Sequence, residues 1–305
     1  MDHRYLLAVI GILGLALPAS ADQARLWQQY QKSPDAHPNI PNCSFAGYAY
    51  GEKPLPQIPV VLKATDFGAV GDGKTDSTAA INEAIKAAHE RGGGAVLLPA
   101  GVYQISGVIW MHYDNVVLRG EGPDKTRIHA TRSLDDARGK NMANGKSKWS
   151  WSGGMIWFVP QSHRNQTQDP TKAPDEGWLD AGALTDISAD AKRGQWTLTV
   201  ADASKLKPNQ RIILALTDPG DASLFKHMSG DIPGVEQYDW PTKAAGLFKM
   251  GQWRWPVEIA AIENNTVRLR QPLRTDIRAA WKPRLLAMGP IVQESGLEDL
   301  TLQMA

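Results

Sequence analysis

Two blocks, Asp66–Thr78 (DFGAVGDGKTDST) and Gly92–Tyr103 (GGGAVLLPAGVY), constrain this chain more than anything else in it. Val60-Val61-Leu62 and Thr65–Val70 make an extended approach rich in apolar and β-branched residues. Gly71-Asp72-Gly73 then breaks it, because glycine reaches positive φ without steric cost and aspartate bonds to its own turn. Asp76 is placed as an N-cap, its carboxylate accepting from the free N–H groups of the first helical turn. Ala80, Ile81, Ala84, Ile85 and Ala88 recur at helical spacing, with Asn82, Glu83, Lys86 and Glu90 largely off that face. Gly92 stands where such a helix stops. The pattern predicts an amphipathic helix over 77–91. Asp66, Asp72 and Asp76 are therefore read as turn and cap residues. Gly92–Gly94 is a connector, since it lacks the strand-to-helix context and the Lys-Ser/Thr ending of a phosphate loop.

Together these blocks resemble the entry to a right-handed parallel β-helix of the pectate-lyase superfamily, the rhamnogalacturonase- or epimerase-like kind. The resemblance implies an all-β, single-stranded β-helix acting on carbohydrate polymers, and it leaves the reaction open. A β-helix exposes an apolar open end, and the helix at 77–91 is expected to lie across it as a cap. Val117-Leu118-Arg119-Gly120-Glu121-Gly122, a strand followed by a tight turn, fits the same resemblance.

Residues 1–21 read as a secretory signal: His3 and Arg4, an apolar run Tyr5–Leu17, then Pro18-Ala19-Ser20-Ala21 with its small-x-small ending. The apolar run is short for a transmembrane span. The expectation is a secreted or periplasmic protein, free of the membrane after cleavage and monomeric. A single Cys43 allows no internal disulfide, and no Cys/His cluster suggests zinc. With 33 basic and 32 acidic residues, nucleic acid is a poor partner. Eleven tryptophans offer flat amphipathic faces of the kind that stack on sugars, though most of them are read as core packing.

Residues 22–60 read as an extended lead-in anchored by Phe45, Tyr48 and Tyr50. Residues 61–189 open the β-helix, Val96-Leu97-Leu98 and Val116-Val117-Leu118 lying 20 residues apart as one coil would place them. Residues 190–275 read as an inserted β-rich subdomain, with strands Trp196–Val200, Arg211–Leu216, Val257–Ile262 and Thr266–Leu269. Between them, the irregular stretch Asp218–Trp255 is the expected lid or groove wall. Residues 276–305 return to the coil rhythm at Gly296–Gln303. The chain stops there on the first strand of a new coil, so it reads as a fragment with an aggregation-prone edge near Leu297–Leu302.

For chemistry, a polysaccharide lyase is the first reading. β-Elimination on a uronate needs a cation on the carboxylate, a base for the C5 proton and an acid for the leaving oxygen. Lys146, Lys148 and Arg164 surround Trp149 and Trp151, which share a face if their segment is extended. Either these form a sugar platform with cations beside it, or the tryptophans are core and the lysines solvated. The substrate-binding set is Lys148, Trp149, Trp151, Arg164, Trp240 and Trp253. Ca²⁺ held by Asp/Glu is an alternative charge neutraliser, and no cofactor is otherwise required. A glycoside hydrolase would need two carboxylates at a set separation. Asp135-Asp136, Asp218/Asp221 and Asp231/Glu236/Asp239 are available, and a solvated surface explains each better. His112, His129, His163 and His227 stand singly and are read as structural or surface residues. The resemblance places catalytic groups on later coils, beyond Ala305. A non-catalytic carbohydrate-binding β-helix is the third reading.

Overall fold

The computed structural model describes residues 19–38, 40, 42–139, 142–143, 146–147, 153–162, 180–231, 234, 237–240 and 252–304. The chain divides into two compact units, one formed by residues 55–179 with 289–305 and the other by 1–54 with 180–288. Lys148, Trp149, Trp151 and Arg164 lie outside the described residues, as do residues 1–18, His163 and Glu236.

The first unit is built from parallel ladders. One runs β1 (Val60–Lys63), β3 (Gly94–Leu97), β6 (Val116–Arg119) and β17 (Gly296–Glu298). A second runs β2 (Asp72–Asp76), β4 (Gly101–Ile105), β7 (Thr126–Ala130) and β18 (Thr301–Met304). A third pairs β5 (Ile109–Met111) with β10 (Ile156–Phe158). A two-residue antiparallel ladder joins β8 (Met142–Ala143) to β9 (Lys146–Ser147). Successive coils align side chain over side chain. Val96 pairs with Leu118 and Tyr103 with Ile128, so like-facing apolar residues stack at the strand spacing. The first coil step is thus 22 residues rather than the expected 20, because β3 begins at Gly94 and pairs with Val116. The next coil enters at β17, where Val117 meets Gly296 across a long intervening segment.

Helix α2 (Thr78–Glu90) forms where its periodicity placed it. Ile81, Ala84, Ile85 and Ala88 are fully buried in a core shared with Leu62, Val96, Ile109 and Leu118. Each buried isoleucine contributes about 1.5–3 kcal/mol of apolar transfer free energy. The start of the helix differs from expectation. Ser77, not Asp76, occupies the capping position. Asp76 Oδ1 accepts from Thr78 N at 3.0 Å and from Ser106 N at 3.2 Å, so it ties the helix entry to the end of β4. Burial raises its pKa, but the bonds from Ser106 and Thr78 outweigh that and hold the carboxyl below the usual range. Asn82 makes a second tie: its Nδ2 donates to Val108 O at 2.9 Å, and its Oδ1 accepts from Trp110 N at 2.8 Å. Close approach explains Gly101, whose φ is 155°: a Cβ there would lie 2.7 Å from Gly71 O.

The second unit is antiparallel. Its six strands run in the order β11 (Asp180–Asp186), β16 (Arg284–Met288), β13 (Arg211–Thr217), β14 (Gln252–Glu263), β15 (Thr266–Leu269) and β12 (Thr197–Thr199). This sheet is wider than 190–275, because β11 and β16 pair with each other and β16 pairs with β13. β13 reads as continuous burial and supplies Ile212, Leu214 and Leu216 to a core with Val257, Ile259, Leu269 and Trp281. Pro256 sits inside β14 because β15 pairs only from Ile259 onward, leaving one edge free of ladder bonds there. Asn264 turns the β14–β15 hairpin at φ 51°.

The lead-in is not simply extended. Helix α1 spans Ala19–Lys32, a run of good helix formers without proline or glycine, and Pro34 follows its end. Asn82 yields a direct test of the first unit. Asn82→Ala leaves Val108 C=O and Trp110 N–H without their side-chain partner. It should cost about 1–3 kcal/mol in chemical denaturation. An unchanged midpoint would mean that Asn82 ties nothing.

Candidate functional site

Charged and aromatic groups in the antiparallel unit converge on Asp276. Its side chain is 12% exposed. Lys192 Nζ stands 3.0 Å and Arg278 Nη2 3.3 Å from Oδ2, while Arg193 N donates to Oδ1 at 3.1 Å. The Arg278 guanidinium lies 4.6 Å from the ring centroid of the buried Trp281. Trp281 Nε1 donates to Ser223 Oγ at 3.0 Å, fixing the indole against helix α4 (Ser223–Met228). His227, on the same helix, packs on Trp281 at 5.2 Å. Its Nδ1 is 2.7 Å from Asp231 Oδ2, and its Nε2 accepts from Asp276 N at 3.4 Å. Arg278 Nη2 also stands 3.2 Å from the same Nδ1. Both ring nitrogens are thereby engaged, so His227 orients the corner. The cations Lys192 and Arg278, 74% and 40% exposed, are the groups open to a ligand.

A second cluster differs. Glu258 meets Arg270 at 2.9 Å, Arg211 at 3.5 Å and the Tyr50 hydroxyl at 3.2 Å. Burial, then the Glu258 charge, pushes the Tyr50 pKa up to about 12. Here the carboxylate is matched by two cations and a phenol within one closed network. In the parallel unit Arg138 lies 5.2 Å and 5.6 Å from the Trp110 and Trp157 rings. Each indole is only 8% exposed, so neither offers a face to a sugar.

Of the residues expected to bind substrate, Trp240 and Trp253 fall within the described residues. Trp240 stacks on Phe225 at 6.4 Å and meets Tyr238 edge-on at 5.0 Å. Trp253 is partly buried against the core and tilted on Trp255 at 5.9 Å. Two of the three carboxylate clusters make turn and cap bonds, while Asp231 of the third pairs with His227. Asp218 accepts from Gly220, Ala222 and Leu224 N–H groups, and Asp221 from Ser223 N. Asp136 pairs with its helix-capping Ser133. Among the described residues, no three His, Cys, Asp or Glu side chains come together as a metal site. The residue the sequence reading undervalued is His227. Its i, i+4 spacing to Asp231 was visible, but α4 ends at Met228. The contact instead depends on Gly230 at φ 95° and Asp231 at φ 49°.

Residues 61–227 match the family described as rhamnogalacturonase A/epimerase, pectate lyase-like. The chain belongs to this pectate-lyase-like family. Its relatives include the mannuronan C5-epimerase AlgE1 of Azotobacter vinelandii, 67% identical over 127 residues. That match covers 40% of this chain and 9% of AlgE1. Alginate lyase 7 of the same organism is 67% identical over 42 residues, 14% of this chain and 5% of that protein. Among solved structures, the A-module of A. vinelandii mannuronan C5-epimerase AlgE4 is 42% identical over 23% of this chain and 20% of that one. Its TM-score is 0.22. The chain therefore spans only a small part of the length of these relatives.

In this member of the pectate-lyase-like family, Asp276 organises the cationic corner, and its protonation should be measurable. Burial raises its pKa, but hydrogen bonds from Arg193, Lys192 and Arg278 outweigh that and hold it below 3.8. A depressed folded value means the stabilisation is fully present above the unfolded pKa and is lost as pH falls through the folded one. Asp276→Asn should cost about 1–3 kcal/mol at neutral pH. The gap to the parent chain should close in acid below about pH 4. A gap that stays constant through that range would remove Asp276 from this role.

Proposed function

We propose that this protein acts on an extracellular acidic polysaccharide of the alginate type, by chemistry that begins with removal of the C5 proton of a uronate. The observation that carries this is the 67% identity to a mannuronan C5-epimerase and to an alginate lyase within one family. Epimerisation at C5 and β-elimination share that first step, since both pass through a carbanion stabilised by the adjacent carboxylate. They part only in whether a proton is then delivered to the opposite face of C5 or the C4 oxygen leaves. Lyase action is the first choice, with epimerisation beside it. The exposed cations of the Asp276 corner suit a polyanion. No described residue is assigned as the C5 base. Secretion or a periplasmic location follows from such a substrate. No described helix is long and apolar enough to cross a membrane.

The test uses the full protein with polymannuronate and polyguluronate, with and without a calcium chelator. A lyase yields rising ultraviolet absorbance from the unsaturated product. An epimerase changes the proton NMR ratio of the two uronates at constant chain length. Loss of either signal with chelator would assign Ca²⁺ a role. New reducing ends without absorbance would establish a hydrolase and overturn the proposal. Saturable binding without any product would leave a carbohydrate-binding protein.

A further inference from the structure

The stretch Arg268–Arg284 (RLRQPLRTDIRAAWKPR) carries six cations and one acid. The structure sorts it by burial. Leu269, Leu273, Ile277, Trp281 and Leu285 point into the core, while Arg268, Arg270, Arg274 and Lys282 are exposed. Arg270 is matched by Glu258, and Arg278 shares Asp276 with Lys192. Arg274 differs. Its Nη2 has only a 3.4 Å bond to Gln271 Oε1, and its guanidinium rests 5.3 Å from the Trp255 ring. The cation–π contact and the Gln271 bond hold the exposed Arg274 head beside the indole.

Arg274 and Arg193 line one shallow cleft, whose enclosed space is only about 10 Å³, together with Asp35, Asn42, Phe45 and Gln271. Asp35 offsets one of these two charges, with its oxygens accepting from Asn42 Nδ2 at 2.6 Å and Trp196 Nε1 at 3.3 Å. Arg193 donates through Nη1 to Pro38 O at 2.6 Å, and its buried Nε has no partner among the described residues. Two guanidiniums thus share the cleft with one acid, a surplus of one positive charge, and Phe45 adds an apolar wall braced edge-on by Trp196.

We propose that the cleft between Arg193 and Arg274 is a carboxylate subsite for a uronate residue of the polymer, with Lys192 and Arg278 around Asp276 extending the cationic track to its neighbours. The assignment rests on the uronate-polymer reading. The planar forks suit a carboxylate, and the surplus positive charge suits a chain bearing one carboxylate per sugar. The cleft is too small to enclose a sugar, so the ring would lie across its mouth against the Phe45 wall, with the carboxylate turned toward the two forks.

The test is binding of a mannuronate oligomer of defined length to the full protein, followed by tryptophan fluorescence and calorimetry over a range of salt. Affinity should fall steeply with salt, and Arg274→Gln should weaken it roughly fivefold and flatten that salt dependence. Arg274→Lys keeps the charge but loses the fork, and should fall between. Arg268→Gln, exposed on β15, should leave binding unchanged. Circular dichroism melting of each variant should match the parent. Unchanged affinity in Arg274→Gln, equal affinity for a neutral glucan, or tighter binding of a DNA of equal charge would each overturn the subsite. Oligomer binding lost in Arg274→Gln without any product from the parent would sink the catalytic reading and keep the subsite. Product formation with Arg274→Gln affinity unchanged would do the reverse.

Discussion

Everything in the parallel unit depends on coils stacking in register. A single coil is three short strands, and none can bury its inward residues alone. Val96 is covered because Leu118 lies over it, and Tyr103 because Ile128 does. That register also places Gly71 against Gly101, where any side chain would push the coils apart. It brings Thr126 Oγ1 under Leu98 O at 3.1 Å, so that a fully buried hydroxyl is satisfied by the coil below. Helix α2 joins this stack by the same two means, an apolar face in the shared core and Asn82 bonded to both sides of β5.

The antiparallel unit follows different physics. Its hairpins close locally and its core forms on the faces of one sheet, which leaves the strand ends and connections free to carry charge. Two carboxylates organise that charge with opposite results. Glu258 is matched by Arg211, Arg270 and Tyr50, and the network is complete in itself. Asp276 is nearly buried and serves Lys192, Arg193 and Arg278, so one acid anchors more positive charge than it cancels. The surplus, together with Arg274 on Trp255, is the positive charge on which the proposed uronate subsite rests.

Much of the fold was legible because its signals are local. The i, i+3/i+4 apolar face announced α2, and short apolar runs announced β13 and β15 almost to the residue, whereas β14 begins at Gln252, five residues before the expected Val257, and takes Trp253 and Trp255 out of the stretch read as irregular. The glycine-rich blocks carried the family. The misses have equally physical causes. Helix α1 was overlooked because the prolines that follow it coloured the reading of the whole lead-in. Asp76 was read as a simple cap because its bonds to Ser106, 30 residues away, cannot be seen in a helical pattern. The coil step came out at 20 residues because strand ends, not apolar content, decide which residues pair. Lys148, Trp149, Trp151 and Arg164 remain a sequence-level grouping outside the described residues.

By itself, the sequence determined the family and those elements with a strong local signal, and it missed α1, β11 and β16. Periodicity, glycine placement and turn chemistry act over a few residues, and they suffice to say helix, strand and coil. Only the tertiary structure decided which charges meet. Lys192 reaches Asp276 across 84 residues, and Trp196 reaches Asp35 across 161. Such contacts are set by strand order and register, which bring distant segments to one edge of a sheet. The same geometry turned an unremarked row of arginines into groups with distinct fates: one neutralised by Glu258, one sharing Asp276, and one lying on an indole beside an open cleft.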